Sequence, residues 1–343
     1  MPQPTMADVA RAAGVSKNAV SLALRNDAQI PEATRARIAA VAEKLGYVRN
    51  PVVSHLMTQL RQSRSAGFQA VLGLINANSD EKAFTRHPTV PAYVEGCRRR
   101  AAQLGYVLDE FWLHQPQLNG ARLNRILHAR GIRGLIITGL MKENRLPERF
   151  AATWEEFPCV VTGVRTREPA LSFAATDHHM LTLRAFEKAL ELGYQRPGLV
   201  LDREIDLLID RRFSAGMHMA QMALPEASRV QPFYEVNRAK QEPELFSRWL
   251  AEQKPDAILT LYNIVQHWLE ERGRGSEIGL IQMEWRSDRP EWAGMNQHND
   301  VVGEAAVEML VGMLQNGEKG VPLFPRGTLV GSSWVDGATM PPR

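Results

Sequence analysis

The apolar positions of this chain follow two different rhythms. From Thr5 to Tyr47 they recur at helical spacing: Met6, Val9, Ala10 and Ala13, then Val15, Ala19, Val20 and Leu24, then Ile38, Val41 and Leu45. Thr5, with Asp8 three residues later, has the form of a capping box; Gly14 permits a tight turn, and Ser16 can cap a second helix. Pro31 suits the opening of a third helix, Gly46 stops it, and Tyr47 packs beneath. Two helices joined by so short a glycine turn predict a helix-turn-helix. Its second helix buries Ala19, Val20 and Leu24 and turns Lys17, Asn18, Ser21, Leu22 and Arg25 outward. Next, Asn50 can cap and Pro51 can open a short helix in which Val52, Val53, Leu56, Met57 and Leu60 are too apolar for a solvated linker. RQSRSAGFQA, residues 61–70, reads as that linker.

Beyond residue 70 short apolar runs alternate with amphipathic helices. AVLGLINAN, YVLDEFWL, GLIITGL, EEFPCVVTG, RPGLVLD, VQPFYEV, PDAILTLY, EIGLIQM and RGTLVGSSWVDG read as strands. VPAYVEGCRRRAAQLGY, HHMLTLRAFEKALELGY, RRFSAGMHMAQMAL, PELFSRWLAEQ and NDVVGEAAVEMLVGMLQNGE read as helices. This alternation predicts parallel sheets with right-handed crossovers. Such a number of units is too large for one sheet and calls for two similar subdomains.

Composition sharpens this picture through charge. Residues 1–64 carry nine Lys/Arg and four Asp/Glu, a balance of +5, while the whole chain carries +3, so the rest nets −2. Basic charge gathered on a segment with helical periodicity and caps is the footprint of a nucleic-acid-binding head. With 343 residues, two or three domains are expected. No run of 18 apolar residues occurs and the N-terminus lacks a secretory pattern, so a cytoplasmic protein without membrane contact is expected. Cys97 and Cys159 fit two separate reduced thiols better than a disulfide.

Enzymatic constellations are weak. Asp177-His178-His179 suggests metal binding, yet adjacent histidines at a helix start diverge, and no HExxH or paired-cysteine motif accompanies them. Asp206 and Asp210, four apart, share a helix face and lack the two-sided geometry of glycoside hydrolysis. No nucleophile elbow, P-loop or dinucleotide fingerprint occurs. The expectation is no catalysis, no metal and no cofactor. Arg98, Arg99 and Arg100 read as a solvated helix face.

DVARAAGVSKNAVSLALRN, PEATRARI and KLGYVRNPVVSHL, in this order and spacing, resemble the DNA-binding head of the LacI/GalR (lactose repressor) family of bacterial transcription regulators. RGIRGLIITG, ATDHHM, LELGYQRPGLV, PDAILT, GMNQHNDVVGEAAVEML and LVGSSWVDGAT extend the resemblance over nearly the full length. It implies an N-terminal three-helix helix-turn-helix domain (1–49), a hinge helix (50–60), a linker (61–70) and an α/β two-lobed periplasmic-binding-protein-like sensor domain with parallel sheets (71–343). The N-lobe would hold about 71–164 plus 294–321, the C-lobe about 165–293 plus 322–343.

The resemblance further implies a DNA-binding set. Lys17, Asn18 and Ser21 face base edges, beside the two caps Thr5 and Ser16 and the outward Leu22 and Arg25. Asn50 and Val53 belong to the hinge helix, and Leu56 is its minor-groove wedge. Leu22 stands where many relatives carry arginine, and Pro51 where they often carry alanine. In open parallel sheets ligands bind outside the carboxyl ends of the strands. The implied effector set there is Asn78, Phe84, Asp177, Arg212, Tyr262, Asn263, Glu284 and Trp285. The family arginine stands three residues before a helix glycine; here Phe213 holds that place before Gly216, Arg212 lies one residue earlier, and Arg211 is the other candidate. The implied function is a repressor that binds a palindromic double-stranded DNA operator as a homodimer, under control of a sugar-like effector. No heptad follows WVDGATMPPR to add a tetramerisation helix, though a tetramer stays open. The rival readings are a solute-binding protein and a sugar-acting enzyme, each without a DNA role.

Overall fold

The computed structural model describes residues 4–24, 29–47 and 70–343. The first two stretches hold three helices, Met6–Ala13, Lys17–Ala23 and Glu32–Lys44. Their shared core is Val9, Ala10, Ala13, Val20, Ala23, Ile38 and Ala42. Three positions differ from the helical-wheel expectation. Leu45 is 38% exposed, and Ala23 and Ala42 are buried instead. With seven residues in the second helix, close approach favours the small side chain over the larger one next to it. Arg37 ties the third helix to the first by donating to the Ala13 carbonyl at 2.8 Å, a group left over at a helix end.

Residues 70–343 form two sheets. The larger is built from β1 (Ala70–Asn76), β2 (Tyr106–Trp112), β3 (Leu135–Thr138), β4 (Cys159–Thr162), β5 (Ser172–Thr176) and β10 (Gly327–Val330), in the order β10-β5-β4-β3-β1-β2. The smaller contains β6 (Pro197–Val200), β7 (Ala257–Thr260), β8 (Gly279–Gln282), β9 (Ala293–Asn296) and β11 (Ser333–Val335), in the order β11-β9-β8-β7-β6. All pairs are parallel except β11 with β9. Central strands are apolar on both faces because helices cover both. On β1, Leu72 and Leu74 pack under the helices Val90–Gln103 and Asn299–Gln315, while Ile75 joins Leu123, Leu127 and Trp154 on the other face.

The chain crosses between lobes three times, and each crossing falls later than residues 164, 293 and 321. β5 still belongs to the larger sheet, so the first crossing follows Thr176. β9 belongs to the smaller sheet and Asn299–Gln315 packs on the larger, so the second lies at 297–298. RGTLVGSSWVDG splits into β10 and β11, one in each sheet, so the third lies at 331–332. Which sheet edge a strand pairs with is decided by distant backbone groups, and local pattern does not carry it. Two strand expectations also shorten. Glu155 and Glu156 end the helix Ala151–Glu156, leaving β4 to start at Cys159. VQPFYEV contributes only a bridge from Phe233 to Val200, since Pro232 has no N–H for a ladder.

The helices Val90–Gln103 and Asn299–Gln315 approach unusually closely. A Cβ on Gly96 would lie 1.8 Å from the Asp300 carbonyl oxygen, and one on Gly303 would lie 2.1 Å from that of Tyr93. Arg98, Arg99 and Arg100 form the polar rim of this packing. Arg99 pairs with Asp300 at 2.8 Å and Glu304 at 2.7 Å, Arg100 with Glu308 at 2.7 Å, and Arg98 with Glu110. Cys97 and Cys159 are separate buried thiols; burial pushes Cys97 up to about 12 and Cys159 higher still.

Candidate functional site

Two regions bring together the residues singled out above. In the N-terminal head, the Thr5 amide and hydroxyl donate to Asp8 Oδ2 at 2.9 and 2.6 Å, which holds the Asp8 carboxyl below its ordinary range. Gly14 ends the first helix at φ 64°, and Ser16 Oγ accepts the Ala19 amide at 3.1 Å to start the second. Thr5 and Ser16 are therefore engaged in caps. Lys17 and Asn18, in the first turn of the second helix, are exposed; Ser21 and Leu22, one turn on, are half-buried. Arg25, Asn50, Val53 and Leu56 lie outside the described residues, as do the hinge helix and the linker up to residue 69.

The second region lies at the carboxyl ends of the strands, where both lobes turn their loops toward the crossings. Glu284, after β8, accepts the Asn299 side-chain amide at 3.1 Å and pairs with Arg286 at 2.8 Å. Thr176, at the end of β5, donates to the Gln297 carbonyl at 3.2 Å. His87 and Tyr93 of the N-lobe lie close enough to Glu284 to feel its charge. Burial holds the His87 imidazole below its ordinary value, Glu284 opposing and Arg286 reinforcing the shift. His87 Nδ1 accepts the Thr89 amide at 3.1 Å, so the neutral ring carries its proton on Nε2. The buried Tyr93 hydroxyl is raised, first by burial and then by Glu284.

Deeper in the C-lobe, Gln282 bridges two strand ends. Its Oε1 accepts the Glu284 amide at 3.3 Å and its Nε2 donates to Asn263 Oδ1 at 2.9 Å. Tyr262, after β7, is half-buried, with Lys240 Nζ 5.9 Å from its ring centroid. Its hydroxyl is raised by burial and by the neighbouring Asp202 carboxylate.

The effector set separates in this geometry. Glu284, Asn263 and Tyr262 gather around Gln282 and Asp202. Asn78 sits at the end of β1 with its amide on the Gly139 carbonyl at 3.2 Å. Phe84 is 8% exposed and packs in the N-lobe core with Val90 and Tyr93. Asp177 caps the helix His178–Glu191 through the Met180 amide at 3.1 Å. Trp285 donates to the Trp292 carbonyl at 3.0 Å against the C-lobe core. Arg212 lays its guanidinium 5.5 Å from the Phe173 ring centroid of β5, a contact between lobes, whereas Arg211 is exposed at φ 60°. His87, Tyr93, Asp202 and Arg286 were not singled out in the sequence. Asp202 and Arg286 follow strand ends, a signal that was there to use; His87 and Tyr93 come from a helix and its approach.

The other chemical constellations disperse. His178 is buried edge-on to Phe213, ring centroids 4.9 Å apart, while Asp177 beside it caps the helix. Asp206 accepts the Ser214 amide at 3.2 Å, and Asp210 pairs with Arg167 at 2.6 Å.

Residues 5–50 match the family "Bacterial regulatory proteins, lacI family". The match covers the N-terminal helical head and not the two-sheet body. It is 24% identical over 192 residues to the HTH-type transcriptional regulator MalR of Streptococcus pneumoniae serotype 4, a match spanning 56% of this chain and 55% of MalR, about half of each. It is 26% identical to the ribose operon repressor of Escherichia coli K12 across 90% of this chain and 92% of that protein. Among solved structures, the lac repressor dimer bound to operator and the anti-inducer ONPF aligns with a TM-score of 0.56 at 21% identity, covering 99% of this chain and 100% of that one. The likeness shows a shared fold over nearly the whole length of both chains. Among the described residues no helix is long and apolar enough to cross a membrane.

Proposed function

We propose that this chain is a sequence-specific transcription regulator of the lacI kind, a repressor that binds a palindromic operator as a homodimer in the cytoplasm. The observation that carries the reading is the capped three-helix head, whose second helix exposes Lys17 and Asn18 in its first turn, on the same chain as a two-lobed body. Lys and Asn at such a position hydrogen-bond guanine and adenine edges in a major groove. In support of the partners, the aligned lac repressor structure is a dimer on an operator with a small ligand, and a full-length relative is named for a ribose operon.

The body acts as the sensor. A sugar or sugar derivative enters between the lobes near Glu284, Asn263 and Tyr262, and changes the angle at the three crossings. That shift moves the two heads of the dimer relative to each other. The ligand needs only to bind one lobe arrangement more tightly to alter DNA affinity. No chemical step is assigned to the protein.

Fluorescence anisotropy against operators selected from random duplexes tests this. The full-length protein should select a palindrome, and Lys17→Ala with Asn18→Ala should lose the selected sequence at least tenfold while retaining folded far-UV CD. Failure to enrich any duplex at low salt would sink the regulator reading.

A further inference from the structure

Among the described residues no three His, Cys, Asp or Glu side chains meet in a group able to hold a metal ion. Thioether sulfur is a donor of a different kind, and the end of the helix Arg212–Gln221 gathers it on one face. Met219 and Met222 are 52% and 57% exposed, and His218 beside them is exposed as well. The helical path runs through all three, since the Met222 amide donates to the His218 and Met219 carbonyls at 3.2 Å each. At about 100° per residue, Met222 stands between the other two, about 40° round the helix from His218 and about 60° from Met219. Side chains three and four residues apart are neighbours on a helix, with Cβ atoms about 5–6 Å apart. Arg229 fixes the turn beneath Met222 by donating to its carbonyl at 3.5 Å and to that of Leu224 at 3.1 Å.

A single exposed apolar side chain is ordinary. Here two long ones share a face with an exposed histidine and the exposed Ala215, which leaves two thioethers and an imidazole together at the surface. Among the described residues the imidazole is engaged by no hydrogen bond or ion pair. The flexible methionine side chains can turn both sulfurs toward one point, and a neutral imidazole supplies a third lone pair. This donor set is soft and uncharged. It suits a soft monovalent cation better than Mg(II) or Ca(II), which take oxygen, or Zn(II), for which thioether sulfur is not a usual ligand. The last turn of a helix also favours positive charge.

We propose that His218, Met219 and Met222 form a surface site for copper(I), held by one imidazole nitrogen and two thioether sulfurs. No redox step is involved, because the ion arrives and leaves as Cu(I). The site lies about 9 Å along the helix axis from Arg212, whose guanidinium rests on Phe173 of the larger sheet. It is therefore separate from the interlobe region where the sugar enters, and it does not depend on the sensor reading.

Methyl NMR of the full-length protein labelled at methionine, titrated anaerobically with Cu(I), tests the assignment. Two methionine signals should shift together and stop at one ion per chain. Met219→Leu and Met222→Leu should each remove one of them, which identifies the pair. Each of these variants, and His218→Gln, should weaken Cu(I) binding at least tenfold while far-UV CD stays that of the folded protein. Leucine and glutamine are good helix formers, so the exposed helix face tolerates them. Zn(II) should leave both signals in place. The assignment is overturned if no methionine signal moves, or if the moving signals survive in the Met219→Leu/Met222→Leu double variant. Full affinity in that double variant would also overturn it, by placing the ion on the buried thiols Cys97 and Cys159. Equal shifts with Zn(II) would overturn the preference for a soft ion and the assignment with it.

Discussion

The side-chain amide of Asn299 donates to Glu284 Oε1 across 3.1 Å, joining the loop after β8 to the helix that returns the chain to the N-lobe. Asn299 Oδ1 also lies 3.4 Å from the Thr176 hydroxyl at the first crossing. One asparagine thus touches both a strand end of the C-lobe and a strand end of the N-lobe. Asn299→Ala leaves the mostly buried Glu284 carboxylate short of one donor. It should lower stability by about 1–3 kcal/mol, read from the midpoint of urea unfolding. A change within a few tenths of a kcal/mol would mean that water replaces the amide freely.

His178 predicts an acid-sensitive fold. Burial, with Arg212 nearby, holds its imidazole down to about 3, against an ordinary 6.5, and its Nδ1 has no partner. The folded state therefore keeps the ring neutral, while the unfolded chain takes a proton below 6.5. Stability from this residue is complete above 6.5 and declines as the pH falls from there toward 3, by about 1.4 kcal/mol per unit. Between pH 7 and pH 5 the loss is on the order of 2 kcal/mol. His178→Leu should flatten that slope whatever its effect on stability at pH 7. An unchanged slope would assign the acid sensitivity to other groups.

The helix pair at the N-lobe surface has no space for one more carbon. Gly303→Ala would drive a methyl into the Tyr93 carbonyl oxygen, a backbone atom that cannot swing away. Overpacking of this kind costs about 1–3 kcal/mol, or more when backbone must shift. Differential scanning calorimetry should show a lower Tm. Gly312→Ala in the same helix, where a Cβ meets nothing within 4 Å, should not lower it.

Leu22 makes a prediction about the operator. It is half-buried on the second helix, and its side chain offers only apolar contact, such as to a thymine methyl. Selected operators should lack a strongly required guanine at the facing base, and Leu22→Arg should restore one, worth about 1–3 kcal/mol of discrimination. Wild-type selection that returns guanine there at full strength would contradict this.

What the sequence determined by itself was local or periodic. Capping residues, the turn at Gly14 and helical spacing are satisfied within a few residues, so the three helices of the head could be read among the described residues, with differences at Leu45, Ala23 and Ala42 and with Ser21 and Leu22 half-buried. Alternating strands and helices likewise required parallel sheets. What tertiary structure decided was non-local. The backbone edges of distant strands fixed that β5 and β10 join the larger sheet, and that one apolar run splits between β10 and β11. Packing drew Phe84 into the core and laid Arg212 on Phe173. Only the folded chain could bring His87 to Glu284 or Tyr262 to Asp202, because those facts depend on what arrives from elsewhere in the sequence.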